Sequence, residues 1–203
     1  MPAEYRTWGA PPGIEIVDTL MRHLSTDYYA GWLTAAALHG AAHQAPQVFQ
    51  VATSRDVRDR VVGRTRFRHR TRSHVTRVAT LNWPTRSGTA RVSTVETTLL
   101  DLATDVDAAG GLDNAATVLV ELSENDAFHT DALVEMLGLF PAAAFRRLGW
   151  ILENFGGAEL DELAARVVPL TRTPSRLDPG RPQTGPLDDR WNIRLNADVE
   201  PDL

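Results

Sequence analysis

An arginine occupies every second position between residues 64 and 72, a spacing that in a β-strand places all of these side chains on one face. The members of this arginine row are Arg64, Arg66, Arg68, Arg70 and Arg72. Residues two apart in a strand lie about 6.6 Å from each other, so the row would be about 26 Å long. Phe67 faces the other way and is the predicted core contact.

Like charges stacked along a strand repel, so a folded protein keeps such a row when it is solvated, countered or functional. Three interpretations follow. The row is a surface that binds phosphate groups or an acidic partner, a solvated face partly neutralised by acidic helices, or an edge strand whose charges block aggregation. We take its arginines as the candidate residues for binding nucleic acid or a protein partner.

Two further spacings could hold a metal ion, and neither is complete. His39 and His43 are four residues apart, as in a helical zinc motif, but the glutamate of that motif is missing and Gly40 is expected to end the helix. Asp105 and Asp107 resemble the carboxylate pair of a nucleotidyltransferase, yet they follow a leucine-rich helix and no Gly-Ser turn precedes them. The sequence therefore predicts no catalytic residue, no metal site and no cofactor.

The aromatic residues Tyr28, Tyr29 and Trp32 fall in a segment predicted to be one helix, from Asp27 to Gly40. The first interpretation is that they pack in the core, and the alternative is that they form an interface.

The chain around these candidates alternates in pattern from helix to strand and back to helix. Apolar spacing predicts a first helix over residues 14–24, and β-rich runs predict strands over 47–53, 65–71, 75–81 and 89–92, with a turn at 83–88. Ser93 and Glu96 have the spacing of a capping box, which opens a series of helices to residue 167. The predicted fold class is α+β, with a small mixed, largely antiparallel sheet packed against N- and C-terminal helices.

The predicted domain organisation has three parts. Residues 1–13 are an extended lead-in, residues 14–170 form the domain, and residues 171–203 are a proline-rich arm and a terminal strand that pack on the same domain.

Charge is distributed unevenly over the 203 residues. All 21 basic residues are arginine, and the stretch 55–91 carries eleven of them against two acids, a net charge of +9, while the remainder carries −14. Such asymmetry indicates a charged partner. The chain has no cysteine, no visible secretory signal and no long apolar run, so we expect a cytoplasmic protein that does not span a membrane.

Five segments, taken in order, resemble the effector domain of the AbiEi antitoxins. They are residues 28–49, 91–103, 110–114, 147–153 and 199–203. The resemblance implies a non-enzymatic antitoxin of a type IV toxin-antitoxin system in a phage-defence operon, with a nucleotidyltransferase-like, AbiEii-type toxin that modifies RNA as its partner. Family members also carry an N-terminal winged helix that binds DNA and regulates transcription of their own operon. Because 27 residues precede Tyr28, we expect the effector domain without that module.

Overall fold

A six-stranded mixed sheet forms the centre of the computed structural model, which describes residues 11–41 and 48–203. Its strands are β1 Tyr28–Ala30, β2 Val48–Thr53, β3 Arg60–Val62, β4 Thr65–Thr71, β5 Thr80–Thr85 and β6 Gly88–Ser93. They are arranged in the order β3-β4-β2-β1-β6-β5. The β1–β6 and β2–β4 pairs are parallel, and the other three are antiparallel.

Helices cover both faces of this sheet. They are α1 Gly13–His23, α2 Trp32–Leu38, α3 Val95–Thr104, α4 Leu112–Ser123, α5 Thr130–Glu135, α6 Ala142–Phe155 and α7 Asp161–Val167. Neighbouring residues of β2 point to opposite faces. Val51 therefore packs with Val17 and Met21 of α1, whereas Ala52 joins the larger core built by the later helices. The predicted α+β class and largely antiparallel mixed sheet are confirmed.

The prediction of a continuous helix from Asp27 is wrong, because residues 28–30 form β1 at the centre of the sheet. β1 pairs with β2 on one side and with β6 on the other. Gly31 separates it from α2, and a Cβ there would lie 2.9 Å from both the Asp101 carboxylate and the Tyr29 ring. The two neighbouring strands therefore decide the conformation, which local helical spacing could not reveal.

The fifth strand begins later than predicted. Residues 75–78 belong to a turn in which the amides of Arg77 and Val78 donate to the carbonyl of His74, at 2.8 and 3.2 Å. The strand then continues through Trp83 and Pro84, where a turn was expected. Pro84 is accommodated because β5 lies at the edge of the sheet, where one row of amides needs no partner.

The start of α3 differs from the predicted capping box by one residue. Thr94 is the N-cap, and its hydroxyl accepts from the amide of Thr97. Ser93 instead donates to the carbonyl of Ala30 at 3.2 Å, and Glu96 accepts from the amide of His129 at 2.9 Å. These side chains connect α3 to other parts of the fold rather than closing its first turn.

The C-terminal segment is held against α6. Its short strands β7 Ser175–Arg176, β8 Leu187–Asp188 and β9 Ile193–Arg194 form a second sheet. Arg146 donates to the carbonyls of Val168 and Thr173, both at 2.9 Å, and the fully buried Trp191 packs on Gly149. The segment is thus held to α6 near its start, at Thr173, and again at Trp191.

Candidate partner-binding surface

The strand that carries the arginine row lies inside the sheet. β4 is hydrogen-bonded to β2 on one side and to β3 on the other, and β3 is the edge strand. The interpretation of the row as protection for an exposed edge is therefore wrong. Phe67 is fully buried with its ring centroid 5.3 Å from that of Phe49, so the predicted division of the strand into two faces is correct at this position.

The structure divides the arginine row into two parts. Arg70 and Arg72 lie against the C-terminal end of α3 and the 3₁₀ turn Val106–Ala109 that follows it. Arg70 pairs with Asp107 at 2.8 Å, and Arg72 pairs with Asp101 at 3.4 Å and also with Asp105. Their side chains are only 26 % and 14 % exposed, so these two arginines are partly buried and paired within the protein.

Aromatic residues complete this cluster around Arg72. The Tyr29 hydroxyl donates to Asp101 at 3.1 Å, and the Trp32 indole N–H donates to Asp105 at 3.0 Å. The Arg72 guanidinium lies 5.0 Å from the centre of the Trp32 ring, a cation–π distance. The cluster fixes the last part of the row to the helices.

Tyr28, Tyr29 and Trp32 are accordingly part of the core. They are 4 %, 0 % and 0 % exposed. The hydroxyl of Tyr28 donates to Asp18 at 3.1 Å, and burial raises the pKa of Tyr28 and of Tyr29. The packing interpretation describes all three residues, and in this fold none of them presents an aromatic surface to a partner.

Asp101 is the residue of this cluster that the sequence analysis missed. It is fully buried, and burial raises its pKa to about 7, although Arg72 and Tyr29 act in the opposite direction. The sequence does contain a signal: Asp101 interrupts an apolar run and stands one helical turn before Asp105. A carboxylate at such a position requires a cation from elsewhere in the fold.

Arg64, Arg66 and Arg68 form the exposed part of the row, and we call them the arginine surface. Arg68 is 44 % exposed and lies 3.7 Å from Asp59, itself 53 % exposed, which is a weak pair. Arg64 and Arg66 are exposed and form no ion pair with any residue that the structure describes. Val61, the register partner of Arg66 on β3, is 66 % exposed beside them.

Three of the four residues considered for metal binding make other contacts. His39 Nε2 lies 2.8 Å from the Ser93 carbonyl oxygen, and His43 lies outside the described residues. The carboxylates of Asp105 and Asp107 are paired with arginines, and the hydrogen bond from Arg70 holds the pKa of Asp107 below its usual value. Over residues 11–41 and 48–203, no three His, Asp or Glu side chains gather as a metal site would require.

No helix in the described part of the chain is long and apolar enough to cross a membrane.

Comparison with known proteins gives the family. The fold is similar to that of the Rv2827c protein from Mycobacterium tuberculosis, with a TM-score of 0.64 and 14 % identity over 91 % of this chain and 67 % of that one. At this identity the similarity concerns the fold alone. No curated protein matches the sequence. The AbiEi antitoxin C-terminal domain matches residues 29–154, which span β1 to α6, and the chain therefore belongs to the AbiEi antitoxin family.

Proposed function

We propose that this protein is a cytoplasmic antitoxin that neutralises a cognate nucleotidyltransferase-like toxin. The observation that carries the proposal is the family match over residues 29–154, which includes the whole sheet from β1 onward and the cluster around Arg72. The proposed function is non-enzymatic. Asp101, Asp105 and Asp107 form ion pairs with Arg70 or Arg72. These ion pairs compete with metal binding by the same carboxylates.

Within that function, we propose the arginine surface as the contact with the partner. Arg66 and Arg68 stand two residues apart on β4, about 6.6 Å from each other, and Arg64 precedes them in the turn between β3 and β4. Each guanidinium group is a planar donor that can bind a carboxylate through two hydrogen bonds. Because Arg64 and Arg66 have no counter-charge in the described structure, an acidic partner would gain attraction without first breaking an internal ion pair.

The alternative function is a nucleic-acid-binding regulator of its own operon that uses the same surface. The observation in its favour is that the three exposed arginines occur at every second residue of the sequence, because the phosphates of DNA or RNA are also regularly repeated. Salt dependence separates the two functions. Phosphate contacts release counterions, so nucleic-acid binding falls steeply with salt, and toxin binding is expected to tolerate more salt.

The test is growth rescue in cells that express the cognate toxin together with the double variant Arg66→Glu, Arg68→Glu. Exposed substitutions of this kind cost little stability, since the Arg68–Asp59 pair is worth at most about 1 kcal/mol. We expect neutralisation to fall at least about tenfold, equivalent to roughly 1.4 kcal/mol of binding free energy.

The matched control is Arg166→Glu, Arg172→Glu, which makes the same change of charge at two exposed positions far along the chain. Thermal melting verifies that both double variants fold. Full rescue by the folded Arg66→Glu, Arg68→Glu variant would mean that the arginine surface is only a solvated face. Equal losses in both double variants would mean that overall charge, rather than this surface, governs the effect.

A further inference from the structure

A pocket of about 400 Å³ lies next to the buried cluster, where the end of β4 meets the loop before α6. Its polar side includes Thr71, Arg72, Ser73 and His74, and its other wall includes Leu139 and Phe140. The volume is within the range of small-molecule sites, and an apolar wall facing a few polar groups is typical of such sites.

Several hydrogen-bond donors of this pocket are not used by the described residues. Asp101 and Asp105 engage Nε and Nη2 of Arg72, which leaves its Nη1 uncommitted. The hydroxyls of Thr71 and Ser73 form no side-chain hydrogen bond with a described residue. None of the described residues that line the pocket is acidic. The lining is therefore suited to an anion.

His74 adds a second, independent observation. Its side chain lines the pocket, the residue is 9 % exposed, and its Nε2 is buried with no hydrogen-bond partner in the part of the chain that the structure describes. An unpaired buried nitrogen costs free energy, and none of the described residues supplies its partner. Burial lowers the pKa of His74, and the positive charges of Arg72 and Arg77 lower it further. The negative charge of a bound anion would act on the pKa of His74 in the opposite direction to these two arginines.

We propose that this pocket binds a phosphate group carried by a nucleotide, with the phosphate at Arg72, Ser73 and His74 and the base or sugar against Leu139 and Phe140. Phosphate matches a guanidinium and a set of hydroxyl donors, and the apolar wall is suited to the flat face of a base. The His74 ring already contacts the Phe140 ring, with centroids 4.6 Å apart, so the two walls of the pocket meet.

Such a phosphate has two possible sources, a free nucleotide or the end of a nucleic-acid strand. Titrations of the full chain with inorganic phosphate, AMP, and a short RNA oligonucleotide with and without a 5′-phosphate distinguish them. Comparable binding of AMP and the phosphorylated oligonucleotide indicates a free-nucleotide site. Binding that requires the phosphorylated oligonucleotide indicates a strand end. Either result supports the pocket, provided that removing the 5′-phosphate weakens oligonucleotide binding.

The variant that tests the location is Ser73→Asp, which places a negative charge in the pocket at an exposed residue. Its matched control is Ser87→Asp, an exposed serine in the hairpin between β5 and β6. We expect Ser73→Asp to weaken phosphate-dependent binding at least tenfold and Ser87→Asp to change it less than twofold, with both variants melting as the unmodified chain does.

The proposal is overturned if no probe shows phosphate-dependent binding at millimolar concentration, or if a folded Ser73→Asp variant binds as tightly as the unmodified protein. The imidazole signals of His74, assigned with a His74→Gln variant, provide a second measurement. They should shift on addition of the phosphate-bearing probe. Because growth rescue is not measured in these titrations, their outcome is independent of the proposed antitoxin function.

Discussion

Replacing Asp101 with asparagine tests the account of the buried cluster most directly. The carboxylate accepts hydrogen bonds from Tyr29 at 3.1 Å and from Arg72 at 3.4 Å, and its Oδ2 atom has no partner among the described residues. Burial raises its pKa from 3.8 to about 7 despite these contacts. Ionising Asp101 therefore requires more free energy in the folded protein than in the unfolded chain. An asparagine at this position cannot ionise at all.

The direction of the pH effect follows from the raised pKa. Between pH 4 and 7 the folded protein holds a proton on Asp101 that the unfolded chain has released, so rising pH favours unfolding. The stability linked to this proton is fully present below pH 3.8 and is lost as the pH rises through about 7. The difference between the two pKa values corresponds to roughly 4 kcal/mol of unfolding free energy.

The assay is urea unfolding of the unmodified protein and of Asp101→Asn at intervals from pH 5 to pH 8. We expect the unfolding free energy of the unmodified protein, relative to the variant, to decrease by about 1 to 3 kcal/mol over this range, because only part of the titration lies within it. His69 and His74, whose pKa values are lowered by burial, favour the folded state as pH rises, and they do so in both proteins. The comparison therefore isolates Asp101.

Asp131→Asn, at an exposed position in α5, is the control and should follow the unmodified protein at every pH. A difference between the unmodified protein and Asp101→Asn that stays constant from pH 5 to pH 8, or that grows in favour of the unmodified protein as pH rises, would refute the reasoning.

Two further substitutions test the packing around the cluster and the C-terminal segment. Trp32→Phe removes the indole N–H that donates to Asp105 and should lower the unfolding free energy by about 1 to 3 kcal/mol, measured by urea unfolding; an unchanged midpoint would contradict the role of that hydrogen bond. Gly149→Ala would place a Cβ 2.1 Å from the Trp191 ring and should cost about 1 to 3 kcal/mol while making residues 171–203 sensitive to limited proteolysis. Protection equal to that of the unmodified protein would show that Trp191 adjusts freely.

The arginine row shows how far the sequence alone could predict the candidate site. Alternation in a strand correctly placed Phe67 in the core and Arg66 and Arg68 on the opposite face, where they are exposed. Arg64 is exposed as well, but it lies in the turn before β4. The alternation could not show that Arg70 and Arg72 are neutralised, because their partners come from α3 and the turn after it, about thirty residues further along the chain. Whether an arginine has an acidic partner depends on the tertiary structure. The alternation of residues along one strand contains no information on it.

The central strand and the fifth strand show the same limit for the fold. Residues 28–40 have helical spacing, yet pairing with two strands makes the first three of them extended. Val75 and Val78 are of a residue type that is common in strands. In this fold they lie in a turn, and their side chains are buried there. Helices with a long apolar period, such as α4 and α6, lie within the predicted series of helices, because their own sequence repeats the core-facing side several times.

The position of β1 has a consequence for the order in which the chain folds during synthesis. Tyr29 bonds to a residue 72 positions later and Trp32 to one 73 positions later. At about 5 to 20 residues per second, a ribosome takes about 4 to 15 s to make that intervening stretch. Contacts of such large sequence separation also form slowly once the chain is complete. The contacts of β1 and Trp32 with the end of α3 therefore form late, although β1 is the first strand of the sheet to leave the ribosome.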